Sequence, residues 1–159
     1  MTLELIELRP PQLAGRRLWV PPFDRAVAYE NHGWWTTEHF PDEDLWYLQV
    51  LESGSEVARV LISPPDSKDF SRYGGVPDLA EVGLEVERIE VALAKRGRRV
   101  GSSVIKELEA SYLERRLFAF ALDEAERFWC STGWTRHRWK DRPETPHDSL
   151  FIQSRELIP

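Results

Sequence analysis

The sequence predicts one domain of the mixed α/β (α+β) class, spanning residues 1–159. At 159 residues the chain has ordinary single-domain length and is long enough to bury a sizeable core. Runs of apolar residues typical of strands are interleaved with segments of helical periodicity. Hydrophobic residues make up 42% and charged residues 30%, which is the balance of a globular protein rather than of a disordered chain.

The first half of the sequence predicts an opening strand, a loosely helical stretch and a hairpin. Leu3 to Arg9 alternates apolar and polar side chains and ends at a Pro-Pro pair, which is typical of a strand boundary. From Phe23 to Trp35 the apolar spacing is loosely helical. Strands are predicted at Leu45 to Leu51 and Glu56 to Ser63, and Gly54 between them permits a tight turn.

The middle of the sequence predicts a strand, a basic glycine-containing loop and a helix in direct succession. Leu84 to Leu93 alternates as a central strand and leads into KRGRR at Lys95 to Arg99. Beyond the loop, apolar residues recur at helical spacing from Val104 to Tyr112, and Ser102 or Ser103 suits the N-cap.

The last third predicts a second strand and helix pair and two further strands. Leu117 to Leu122 is a short strand of the buried type, and Asp123 begins a capping-box pattern. Gly133 lies where a helix commonly ends through a left-handed residue. The further strands are predicted at Trp134 to Trp139 and Ser149 to Ser154.

Composition argues against several classes of protein. Cys130 is the only cysteine, so no internal disulfide can form, and we expect its thiol to be buried and inert. The four histidines show no metal-ligand spacing, so we predict no metal. The N-terminus lacks a signal peptide, which predicts a cytoplasmic protein, and no apolar run approaches the ~20 residues that cross a membrane. The net charge of -6 argues against a nucleic-acid surface.

One basic stretch contrasts with this acidic background, because four positive charges lie within the five residues from Lys95 to Arg99. A helix N-terminus exposes unpaired backbone N–H groups and about half a positive charge, so the loop that feeds it can bind phosphate. Gly97 and Gly101 lack the Cβ atoms that would block a close approach, and the arginines attract anions. The stretch predicts a polyphosphate site, with an exposed basic turn as the alternative.

The segment IEVALAKRGRRVGSSVIKEL resembles the coenzyme A segment of the GNAT superfamily of N-acyltransferases. That family's pattern is Arg or Gln, two residues, Gly, one residue, then Gly or Ala. Arg96 matches the first position and Gly101 the last, whereas Arg99 stands where the middle Gly is expected. Val91 and Leu93 keep the family's spacing from strand to loop, although Leu93 replaces a frequent Pro.

A second segment, ALDEAERFWCSTGW, is similar to the later strand and helix of the same family. Phe128, Gly133 and Trp134 keep the family's pattern, while Leu122 falls where Asn is common. Trp129 falls where many members carry a Tyr that protonates the departing thiolate. An indole N–H does not titrate near neutral pH, so Trp129 cannot take that role and is expected, with Trp134, to pack in the core.

The resemblance implies a GNAT-like fold, with a mixed, mostly antiparallel central sheet of about six to seven strands, about four flanking helices and a splayed strand pair that holds the cofactor. It implies an N-acetyltransferase that transfers an acetyl group from acetyl-CoA, as co-substrate, to a primary amine of a small molecule, an amino acid derivative or a peptide by direct attack. The implied cofactor-binding residues are Val91, Leu93, Arg96, Gly97, Arg98, Arg99, Val100, Gly101 and Ser102.

In such a reaction, backbone N–H groups from around Val91 to Leu93 would stabilise the developing oxyanion. Glu85 and Glu87 lie on the same side of the central strand as Val91 if its alternation holds, so either could accept the proton of the amine, and Glu87 is preferred. The alternative is a solvated acidic face of the strand, balanced by Arg88.

The acceptor site is expected in the early segment and in the loop at 66–78, because aromatic rings beside carboxylates suit a cationic amine. The early candidates are Trp34, Trp35, Glu38, Asp42 and Glu43. Hydrophobic packing with surface acids is an equal alternative for this segment.

Other functions are left open by the residues. Trp129 and Arg99 would also suit a catalytically degenerate member that binds an acyl-CoA as a sensor or partner module. An acetyltransferase acting on charged transfer RNA is disfavoured by the acidic balance. The oligomeric state is not fixed by the sequence, and a homodimer is among the alternatives.

Overall fold

The structure is a computed structural model that describes residues 2–11, 18–40, 43–44, 46–65 and 68–154. Its strands are β1 Leu3–Leu8, β2 Trp46–Glu52, β3 Ser55–Ser63, β4 Gly83–Val91, β5 Arg116–Ala121, β6 Thr135–His137 and β7 Ser149–Ile152. Its α-helices are α1 Val100–Ser111 and α2 Asp123–Ser131, and short 3-10 helices lie at His32–Trp35 and Leu93–Lys95.

The seven strands form one sheet in the order β1-β2-β3-β4-β5-β7-β6. The pairs β1–β2, β2–β3, β5–β7 and β6–β7 are antiparallel, and β4–β5 is parallel. The parallel ladder joins Gly83–Glu85 to Arg116–Phe118 and includes no later residue of either strand. The mixed, mostly antiparallel sheet confirms the predicted fold class, but the described residues form two α-helices rather than about four.

By its contacts the chain divides into two compact units. The first comprises Met1–Ser63 with Glu87–Glu107, and the second comprises Pro64–Val86 with Leu108–Pro159. Each unit has its own apolar core. The first core is built on Phe23, Tyr29, Trp35, Tyr47, Leu61 and Ala92, and the second on Tyr73, Leu79, Phe118, Leu150 and Ile152.

The β2–β3 hairpin confirms the prediction made from its sequence. Glu52 pairs with Ser55 across a two-residue turn in which Ser53 and Gly54 have φ of 51° and 80°. Two central residues with positive φ give a turn whose twist matches that of the flanking strands. The predicted first residue of the hairpin, Leu45, lies outside the described residues.

The prediction of a loose helix from Phe23 to Trp35 is wrong, because this stretch consists of turns and one 3-10 helix. Its aromatic rings pack into the first core in edge contacts, with the Phe23 ring centroid 5.7 Å from those of Trp35 and Tyr47. Tertiary packing, rather than helical hydrogen bonding, therefore sets the path of this segment.

A buried ion pair lies in the first unit, on β3. The Nε atom of Arg59 donates to Oε2 of Glu56 at 2.9 Å, and the two side chains are only 5% and 1% exposed. The Arg59 guanidinium lies between the rings of Phe23 and Tyr29, at 4.5 and 4.0 Å from their centroids. The Tyr29 hydroxyl also donates to Glu56, and burial together with that carboxylate raises the pKa of Tyr29 well above its usual range.

Two helix starts differ from prediction. Helix α1 begins at Val100, so its N-cap is Arg99 and not Ser102 or Ser103, and both serines lie within the first turn. Helix α2 begins at Asp123, with Leu122 as N-cap and no side-chain cap bond. Asp123 therefore acts through its charge beside the positive helix end rather than as a cap.

We expect Gly83→Ala to lower the free energy of unfolding by about 1 to 3 kcal/mol, because a Cβ at this position overpacks the second core. The added atom would lie 2.6 Å from the Leu79 carbonyl oxygen and 3.1 Å from Cε1 of Phe118. Urea unfolding measures the effect. Gly33→Ala is the control, since no atom lies within 4 Å of its Cβ position. Equal stabilities of the two variants would contradict the prediction.

Candidate active site

The candidate site begins where β4 leaves the sheet. The Ala92 N–H donates to the Val57 carbonyl at 2.9 Å, and the Leu93 N–H donates to the Ala28 carbonyl at 3.0 Å. These two bonds fix the end of the strand before the chain passes through the 3-10 helix at Leu93–Lys95. The basic loop therefore starts from an anchored point.

Two left-handed residues then turn the chain into helix α1. Gly97 has φ of 78° and Arg99 has φ of 58°. The Arg99 carbonyl accepts the N–H of Ser103 at 3.1 Å, which is the first hydrogen bond of the helix. Val100 is buried directly after Arg99 and anchors the first turn on the core. The positive φ of Arg99 is a conformation that a non-Gly residue adopts only at a cost.

The first turn of α1 presents backbone donors. By helix geometry the N–H groups of Val100, Gly101 and Ser102 have no acceptor within the helix, and no other acceptor is found for them among the described residues. Gly101 and Ser102 are half-buried, and Gly97, Arg98 and Arg99 are exposed. The turn thus has the accessible amides and the positive helix end that an anionic group requires.

The three arginines of the loop differ in their surroundings. Arg96 pairs with Glu30 at 2.8 Å and with Glu90 at 3.5 Å, so carboxylates already neutralise part of its charge. Arg98 and Arg99 form no ion pair with any carboxylate of the described ranges. Lys95, the fourth cation of the loop, forms none within these ranges either, so the uncompensated positive charge of the loop lies at Lys95, Arg98 and Arg99.

Glu90 is a structural anchor of the candidate site that sequence reasoning missed. Its buried carboxylate accepts from the backbone N–H of Asn31 at 3.0 Å and from Nε1 of Trp35 at 2.8 Å, and it also meets Arg96. It ties the 3-10 helix at His32–Trp35 to the end of β4 and to the basic loop. The signal available in the sequence was its place on the inward side of a strand, where an acid needs partners.

The two candidate bases on β4 have different environments. Glu87 is exposed, and its Oε1 accepts from the Ser63 hydroxyl at 2.9 Å. Glu85 is buried in the second unit, where its Oε1 lies 3.4 Å from Nζ of Lys68. Glu87 is therefore accessible to a substrate proton, whereas Glu85 is held in an ion pair.

The structure reduces the number of backbone N–H groups that could serve as oxyanion donors. The N–H groups of Ala92 and Leu93 already donate to protein carbonyls, so the expectation of free amides up to Leu93 is wrong. Successive N–H groups of a strand point to opposite edges, so that of Val91 points away from the β3 carbonyl that Ala92 meets. Val91 is the candidate that keeps this role.

The predicted acceptor residues do not form one surface. Trp35 is 1% exposed and belongs to the first core, so its assignment to an acceptor wall is wrong, and packing with Glu90 is the physical reason. Trp34 is half-buried, with the Arg88 guanidinium 5.5 Å from its ring centroid. Glu38 is exposed, and Asp42 lies outside the described residues.

Trp129 and Trp134 are buried, as predicted, and their ring centroids lie 5.0 Å apart. Nε1 of Trp134 donates to Glu109 at 2.8 Å. Cys130 is exposed on α2, so the expectation of a buried thiol is wrong.

Tyr47, in the first unit, is not available to act as an acid on a substrate. Burial raises the pKa of Tyr47 to about 12, and its hydroxyl lies 2.5 Å from Nε2 of His39.

Within the described part of the chain, no cluster of three or more potential metal-ligating side chains occurs. The helices of that part are also too short and too polar to cross a membrane.

No family model matches the chain, and no curated protein matches it. Several solved structures, in contrast, are similar to the chain. An acetyltransferase from Thermus thermophilus is 12% identical with a TM-score of 0.51, over 70% of this chain and 64% of that one. The alignment thus spans less than two thirds of the Thermus protein. Aminoglycoside acetyltransferase AAC(6')-Ib in complex with coenzyme A is 12% identical with a TM-score of 0.51, over 71% and 68% of the two chains.

The same aminoglycoside acetyltransferase in complex with coenzyme A and kanamycin gives the same identity, coverage and TM-score. The neighbours are thus acetyltransferases, and the sheet of this chain has the same architecture. The chain shares the fold of these acetyltransferases.

We expect Arg99→Gly to raise the free energy of unfolding by about 0.5 to 1 kcal/mol, because relief of the left-handed Arg exceeds the entropy cost of Gly. Arg98→Gly is a matched control, since it removes the same charge at an exposed neighbour without positive φ. It should lower stability by about 0.5 to 1 kcal/mol. Chemical denaturation compares them, and equal effects would contradict the assigned strain at position 99.

Proposed function

We propose that this chain is a GNAT-type N-acetyltransferase that transfers the acetyl group of acetyl-CoA to a primary amine of a small molecule, an amino acid derivative or a peptide. The observation that carries the proposal is the first turn of α1, where accessible amides lie beside uncompensated arginines at the end of a strand of a GNAT fold. Similar structures that contain coenzyme A, and in one case kanamycin, support this choice.

The residues present fit a diphosphate. The N–H groups of Val100, Gly101 and Ser102 would donate to its oxygens, and the guanidinium groups of Arg98 and Arg99 would balance its charge. Gly97 has open space around its Cβ position, so nothing in the loop crowds an approaching ligand there. Arg96 contributes less, because Glu30 and Glu90 already engage its guanidinium.

When bound, acetyl-CoA supplies a thioester, whose acetyl group passes to the amine with release of the free thiol. The Glu87 carboxylate would accept the proton that a primary ammonium must lose before it becomes a nucleophile, and the Ser63 hydroxyl holds that carboxylate in place. The Val91 N–H would donate to the carbonyl oxygen as negative charge develops there. Alignment of two bound reactants lowers the barrier by ~7 to 11 kcal/mol, so transfer does not require a protein acid in the place of Trp129.

Gly101→Glu tests the cofactor site. A carboxylate on the first turn of α1 would repel a diphosphate and fill the space beside the free amides, so we expect the Kd for acetyl-CoA to rise by about 100-fold or more. Isothermal titration calorimetry measures it, with circular dichroism as a check of folding. Lys106→Glu is the control, because it makes a larger charge change at an exposed position further along the same helix. Unchanged affinity of Gly101→Glu would reject the site.

Glu87→Gln tests the proposed base. The amide keeps an oxygen for the Ser63 hydroxyl but cannot accept a proton, so kcat should fall by about 100-fold or more while the Kd for acetyl-CoA stays constant. Thiol release with a panel of primary amines gives the rate. Ser63→Ala, which keeps the carboxylate, should have a smaller effect. Tight binding of acetyl-CoA without turnover of any amine by the native chain would instead indicate a binding module.

A further inference from the structure

The second unit contains an ammonium group bound to a buried carboxylate. Nζ of Lys68 lies 3.4 Å from Oε1 of Glu85, and the two side chains are 40% and 7% exposed. Lys68 belongs to the loop after β3, where its backbone N–H donates to the Pro65 carbonyl at 3.0 Å. The carboxylate is thus a fixed, buried part of β4, whereas the cation reaches it from a partly exposed side chain.

An aromatic ring lies close to the same ammonium, and further rings pack against that ring. Nζ of Lys68 lies 5.8 Å from the ring centroid of Phe120, which is within the range of a cation–π interaction. The Phe70 ring stacks on Phe120 at 6.1 Å with an interplanar angle of 7°, and it meets Phe118 edge-on at 5.2 Å. A buried carboxylate beside electron-rich rings is the combination that recognises an organic cation.

A cavity of about 330 Å³ opens beside Lys68. Its lining includes Lys68 and Phe70, the apolar residues Pro77 and Leu79, and the carboxylate of Asp78. A volume of this size accommodates a small organic molecule with an apolar part. All of these residues belong to the second unit, and Lys68 is common to the cavity lining and the ion pair.

We propose that Glu85 and Phe120 form a binding site for a primary alkylammonium or arylalkylammonium ligand, and that Lys68 is its tethered occupant. A buried carboxylate deprived of its cation is unfavourable, so Lys68 occupies the site for most of the time and an entering ammonium competes with it. The apolar part of the entering ligand lies against Phe70 in the cavity. The identity of this ligand as the acetyl acceptor rests on the proposed function, but its binding does not.

Competition between Lys68 and an external ammonium predicts how Lys68 changes the affinity of the site for that ligand. A site that its own lysine fills for most of the time shows an apparent Kd increased by the reciprocal of the open fraction. Removal of the Lys68 ammonium removes the cation that competes with the ligand for Glu85. An external ammonium then binds more tightly, although the substitution adds no new contact.

Calorimetry with benzylamine, which is cationic at neutral pH, tests this without acetyl-CoA. We expect Lys68→Met to bind benzylamine about 10-fold or more tightly than the native chain. Lys68→Arg, which keeps a cation, should resemble the native chain, and so should Lys140→Met, which changes a lysine of the neighbouring cavity. Benzyl alcohol, which has the same ring without the charge, should show no such gain. The double variant Lys68→Met with Glu85→Gln should lose it.

Lys68→Gln provides a second route if Lys68→Met does not fold, because its side chain is polar but carries no charge. It too should bind benzylamine more tightly than the native chain. Equal affinity of the native chain and the folded Lys68 variants, or an equal gain for benzyl alcohol, would overturn the proposal. Acetyl-CoA takes no part in this binding test. Its outcome is therefore independent of whether the chain transfers acetyl groups.

Discussion

The arrangement of the first unit depends on the carboxylate of Glu90. It accepts from Asn31 and from the indole of Trp35, and it meets the guanidinium of Arg96. The bond to Trp35 joins positions 55 residues apart. One buried anion thus fixes the aromatic segment, the end of β4 and the start of the basic loop together, and such a group is stable only while its donors remain in place.

The loop turns a strand into a helix within a few residues, and its two left-handed residues determine where that helix begins. Because Arg99 is the N-cap, the serines that follow lie inside the helix and leave the first-turn amides to whatever binds there. The left-handed conformation of Arg99 therefore adds strain while it sets the geometry of the turn. Charge and backbone donors lie side by side as a result.

Local sequence patterns predicted the local features of this chain. Alternation and Gly54 predicted the β2–β3 hairpin, and the strand, basic loop and helix were found in the predicted order. What failed was determined by distant partners: Trp35 is buried by its contact with Glu90, and the Leu93 amide is engaged by Ala28. The start of α1 was also missed, because no sequence rule assigns a left-handed conformation to Arg99.

The Glu56–Arg59 pair restricts the ways in which this sequence can change. Replacing either residue alone leaves the other charge buried against Phe23 and Tyr29, whereas replacing both with apolar residues of similar size can be neutral. A sequence change at these two positions therefore has to pass through a single mutant that is less stable than the native chain. The codons for positions 56 and 59 of β3 are therefore expected to change together.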